Sequence, residues 1–139
     1  MKRLTGIIRL HRWQLEERLR DLQELERLHE RLQTQVVGLD EELAREKTVA
    51  GECHEASYTL SAYVKQAIGR RRKLKDSLYR VIDQIQEMED SVAEAYRELK
   101  KYELTEANRL QREKKYLERR QQIELDEISL NSYRRRMKS

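Results

Sequence analysis

Apolar residues in the first third of the chain, Leu15, Leu22, Leu25, Leu32, Val36, Leu39 and Leu43, fall on the alternating three- and four-residue steps of a heptad. Ile8 extends the series in one direction and Ala50 in the other, with Arg18 and His29 as polar members. A second series of the same kind runs through Leu74, Leu78, Val81, Ile85, Met88, Val92, Ala95, Leu99 and Tyr102. Each stripe needs a second helix to cover it, and each can cover the other. In an antiparallel pair the position numbers of facing residues add to a constant, and a sum of 117 sets Leu43 against Leu74, Leu39 against Leu78, Leu32 against Ile85 and Leu25 against Val92. It also sets His29 against Met88, Leu15 against Tyr102 and Glu46 against Arg71. The pattern therefore predicts an all-α fold, a long antiparallel two-helix coiled-coil hairpin.

In order along the chain, helix one is expected over about 6–55 with Thr5 as its cap, a tip over about 56–62, and helix two over about 63–135, all in one domain spanning 1–139. Gly51, Ser57, Thr59, Ser61 and Gly69 lower helix propensity around the tip, where Tyr58 and Tyr63 lie. Between Leu99 and Leu110 the stripe advances eleven residues, a stutter that is expected to turn Ala107, Leu110 and Leu117 inward and bring Leu110 to Ile7 or Ile8. Beyond about Leu117 helix one has run out. Ile123, Leu125, Ile128, Leu130, Tyr133 and Met137 follow with no segment left to cover them.

Composition supports long helices over a layered core: 139 residues without proline or phenylalanine, 40% charged and 37% hydrophobic. No apolar run approaches the roughly 18 residues of a membrane span, so membrane insertion is not expected. The single Cys53 has no intrachain disulfide partner and fits a reducing compartment. Charge is uneven. Residues 104–139 hold ten Lys and Arg against six Asp and Glu, whereas residues 1–57 hold ten against twelve.

Candidate chemistry is sparse. Cys53 and His54 are too few ligands for a zinc site, and Cys53 is more simply a small seam residue facing Val64. There is no phosphate-binding glycine loop and no nucleophile beside a base in a sheet context, so neither an enzyme nor a cofactor or small-molecule site is expected. The run Arg70-Arg71-Arg72-Lys73-Leu74-Lys75 before a heptad series would suit a bZIP-like reader of DNA. It lacks the length and the base-reading Asn, and the net charge is only +4, so an acidic protein surface is the better match. A basic coiled-coil nucleic-acid binder and a purely structural adaptor remain the alternatives. Leu10 and Trp13, three residues apart, lie off the seam; Trp13 either awaits a partner or lies flat on neighbouring alkyl stems.

Three segments in order, Ile8-Arg9-Leu10-His11-Arg12-Trp13-Gln14-Leu15, Glu94-Ala95-Tyr96-Arg97-Glu98-Leu99-Lys100-Lys101-Tyr102-Glu103 and Glu124-Leu125-Asp126-Glu127-Ile128-Ser129-Leu130, resemble the flagellar FliJ family. The resemblance covers nearly the whole chain. It implies a coiled coil similar to the central stalk of rotary ATPases, acting without ATP hydrolysis in the flagellar type III export apparatus, cytoplasmic and peripheral to the inner membrane. The implied partners are the hexameric export ATPase, the cytoplasmic domain of the export gate membrane protein, and export chaperones. On that basis the ring-facing candidates are Leu10, Trp13, Leu117, Arg119, Arg120, Ile123, Ile128, Leu130, Arg134, Arg135 and Arg136. The gate-facing candidates, chosen by position and chemistry, are Tyr58, Tyr63, Arg70, Arg71 and Arg72.

Overall fold

The structure, a computed structural model, describes the backbone of residues 2–50 and 56–138 and the side chains of 4–48 and 61–138. It contains two helices, α1 (Lys2–Ala50) and α2 (Ala56–Lys138). With no proline to break them, both run through their polar interruptions. Thr5 lies inside the first turns of α1 rather than capping it, and Ser57, Thr59 and Ser61 belong to α2. Thr34, Thr48 and Thr105 satisfy their hydroxyls within the helix, each donating to the carbonyl four residues back. Arg135, Arg136 and Lys138 occupy the last turn of α2, where cations complement the negative end of the helix dipole. Cys53 and His54 fall outside the described residues, as does the side chain of Tyr58.

Two compact units are distinguished. In the unit of residues 13–96, α1 and α2 pack along the two seams, and Val36, Leu39, Ala67, Val81 and Ala95 are its buried apolar residues. Leu15, Leu22, Leu25, Leu32 and Leu43 of α1 and Leu74, Leu78, Ile85, Met88 and Val92 of α2 are half-buried, as a two-helix interface with open edges requires. The unit formed by residues 1–12 and 97–139 repeats the pattern on a smaller scale, burying Ile8 and Leu99. No described side chain in either unit is completely enclosed.

The seams are those the periodicity predicts, but the register is not. Arg71 Nε donates to Asp40 Oδ1 at 2.6 Å, where the sequence sets Arg71 against Glu46. Leu25 and Met88 line one surface groove together, and Leu39 and Leu74 another, pairs whose position numbers add to 113 rather than 117. In the other unit His11 meets Tyr102, the rings stacked at 4.7 Å and 22°. These contacts agree on a slide of about one helical turn, the step after which an apolar stripe again meets an apolar stripe. The polar pairs select between the two alignments. Arg18 Nη1, for example, donates to the carbonyl of Ser91 at 3.1 Å.

Past Leu99 the expected re-phasing does not occur. Tyr102, Glu103, Glu106 and Arg109 keep the three- and four-residue steps and are half-buried, while Ala107 and Leu110 point outward. Arg109 and Glu106 pair at 2.7 Å, so the seam ends in a matched ion pair where the sequence suggests apolar residues.

Candidate partner-binding surfaces

From residue 111 to residue 138 every residue of α2 is exposed. This is a helix of about eight turns that keeps its large apolar side chains in water. At 3.6 residues per turn these side chains fall on two opposite sides of the helix. Leu110, Leu117, Leu125 and Ile128 share one side; Tyr116, Ile123, Leu130, Tyr133 and Met137 share the other. The candidates Leu117 and Ile128 are therefore not on the same face as Ile123 and Leu130. Tyr116 completes the second face and is visible only when the residues are placed around the helix rather than along it. Arg119, Arg120, Arg134, Arg135 and Arg136 are exposed on the same segment, interrupted by the acidic stretch Glu124, Asp126 and Glu127.

Just before this segment, a charged cluster finishes the packed part of its unit. Glu103 accepts from Lys100 Nζ at 3.2 Å and from Arg12 Nη2 at 3.3 Å. These bonds, Lys100 first, hold its carboxyl below the usual carboxylate range. The hydrogen bond from Arg109 likewise lowers Glu106, and Glu106 in turn raises Arg109. Arg109 Nη1 also reaches Glu113 at 3.3 Å, one turn further along α2. In the same unit Leu10 is exposed; Trp13, in the other unit, is 53% exposed.

The gate-side candidates do not form one free cationic face. Arg71 is held by Asp40, whereas Arg70 and Arg72 are exposed. Tyr63 is half-buried and its hydroxyl donates to Glu42 Oε2 at 3.3 Å; loss of solvent, and then the charge of Glu42, push its phenol pKa up. Arg70 and Lys73 flank a groove with Gln35, Gly38, Leu39 and Leu74. The outer face of α2 also carries Tyr79 and Ile82, exposed and three residues apart, which the seam-centred reading of the sequence passes over. Their signal was available in the sequence as apolar residues between seam positions.

Among the described residues no three His, Cys, Asp or Glu side chains gather as a metal site, and no helix is long and apolar enough to cross a membrane. Neither a curated protein nor a solved structure matches the chain. The family model of the flagellar FliJ protein matches residues 1–138. A match over essentially all of the chain, on a pair of long packed helices, places this protein in the flagellar FliJ family, as a component related to flagellar protein export.

Proposed function

We propose that the chain links the hexameric flagellar export ATPase to the cytoplasmic domain of the membrane export gate and escorts export chaperones, without catalysing a reaction itself. The observation that carries this reading is the uncovered segment 111–138 with apolar side chains on two opposite faces. Each large apolar residue left in water forgoes roughly 1.5 to 3 kcal/mol relative to full burial. A single flat partner surface covers one face only. A ring wall that surrounds the helix covers both, and the arginines at 119, 120 and 134–136 suit acidic groups on such a wall.

The ATPase contact is assigned to Leu117, Ile123, Ile128 and Leu130 with those arginines, and Leu10 and Trp13 are further candidates on α1. The gate contact is assigned to Tyr58, Tyr63 and Arg70 to Arg72. A rod-like helix inside a six-fold ring meets its subunits unequally, and that asymmetry couples the state of the ring to the gate. The test is deletion of residues 118–139. The truncated chain is expected to keep its helical melt and to lose stimulation of ATPase ring assembly. Normal stimulation by the truncated chain, with loss on changing Arg70 and Arg72 instead, would reverse the assignment of the two ends.

A further inference from the structure

One of the two apolar faces on segment 111–138 has a feature that a ring contact does not require. Ile123, Leu130 and Met137 are seven residues apart, Tyr133 lies between the last two, and all four are exposed. Glu127 and Arg134 each follow a stripe residue by four positions, so they line the same flank of that stripe. One is acidic and the other basic, three residues before and four residues after Leu130. A surface of that kind is complementary to itself.

We propose that residues 123–137 form an antiparallel contact between two copies of this chain, with Leu130 on the two-fold axis. In an antiparallel helix pair, like flanks meet running in opposite directions. Centring the axis on Leu130 then sets Ile123 against Met137 of the second copy and brings Glu127 within one residue, about 1.5 Å along the helix, of the level of Arg134 of the second copy. Symmetry repeats each contact. Asp126, which accepts a hydrogen bond from Gln122 at 3.3 Å, comes level with Arg134 of the second copy and within one residue of Tyr133 of the second copy, whose hydroxyl is a donor. A parallel pair loses these matches. It puts Asp126 beside Asp126 at the centre of the contact and Glu127 opposite the neutral Gln122, so flank charge selects the antiparallel orientation.

The contact extends over about four helical turns, which places its area at the low end of specific interfaces and makes the association weak and reversible. It covers only the Ile123 and Leu130 face. Leu117, Leu125 and Ile128 remain exposed on the other, so the pair competes with any partner that wraps the helix without removing the reason for that partner. The contact does not depend on which protein that partner is.

Sedimentation velocity of the full-length chain over the micromolar to millimolar range tests the proposal. The wild type is expected to show a reversible, concentration-dependent dimer. Glu127→Arg alone and Arg134→Glu alone each disturb two symmetry-related pairs and are expected to weaken the dimer about tenfold, with helicity by circular dichroism unchanged. The double variant Glu127→Arg/Arg134→Glu is expected to return to near wild-type association. A chain that stays monomeric throughout the range, single variants that dimerise as well as wild type, or a double variant no better than the singles would each overturn the proposal.

Discussion

The hairpin of residues 13–96 and the segment 111–138 are built from the same kind of sequence, yet one buries its apolar stripe and the other does not. Val81 on the seam is 5% exposed and Leu117 is 52% exposed, although both sit on α2 among Lys, Arg, Glu and Gln. The difference lies in what the chain supplies opposite each. Val81 is in a unit where α1 runs alongside α2; residues 111–138 have no described α1 side chains against them. Heptad spacing thus states a demand for a partner, and the topology decides whether the chain meets it. Where it does, the stripe is a core; where it does not, the stripe is a surface.

Substitutions on the two regions sharpen that contrast. The largest effect on stability is expected from Leu39→Ala, which removes a buried seam residue and costs about 2 to 3 kcal/mol, the lower part of the range for such truncations because the two-helix seam is open at its edges. Ile128→Ala on the exposed segment is expected to stay within about 0.5 kcal/mol of wild type, since it gives up no intrachain contact. Chemical denaturation of the two variants side by side checks both. A drop in stability for Ile128→Ala equal to that of Leu39→Ala would mean that the segment has intrachain cover after all.

A smaller gain is expected at Gly38. A methyl group there meets no atom within 4 Å and the position lies within α1, so Gly38→Ala should stabilise the hairpin by about 0.5 to 1 kcal/mol. A lower melting temperature would show that the helices approach more closely at this point. Smaller again is the register pair. Asp40→Arg and Arg71→Asp should each lower the melting temperature by a few degrees at most, and the double exchange should recover it, more visibly at low salt. Recovery by exchanging Glu46 with Arg71 instead would restore the alignment that the apolar pattern alone predicts.

The smallest effect is a pH dependence. Glu103 and Glu106 have folded-state pKa values held below their unfolded values, so the stability they lend is complete above about pH 4.3 and is lost as pH falls through the lowered folded values. Glu106→Gln should flatten that part of a melting-temperature profile, and an unchanged acid slope would remove the Arg109 pair as its source.

Much of this was legible in the sequence. Every seam residue from Leu74 to Tyr102 is buried or half-buried, because a heptad stripe on a charged background admits one inward face. The register was not legible from those residues, since sliding one helix by a turn matches leucine to leucine nearly as well; Asp40 with Arg71 and His11 with Tyr102 break the tie, and single polar pairs are hard to weigh in advance. Glu106 and Arg109 misled for a related reason. Read separately they are solvent residues, but as a pair they share one half-buried position better than Ala107 and Leu110 do. At the gate-side candidates composition is legible without pairing, so Arg71 reads like Arg70 and Arg72 although it is committed to the hairpin.

Amide hydrogen exchange of the full-length chain, with and without the flagellar export ATPase, tests the division between a stretch that folds and a stretch proposed to bind. Slow exchange is expected at residues 22–43 and 74–95 in both conditions, and fast exchange at 111–138 that becomes protected when the ATPase is added. Protection appearing at residues 61–73 while 111–138 stays unchanged would contradict it.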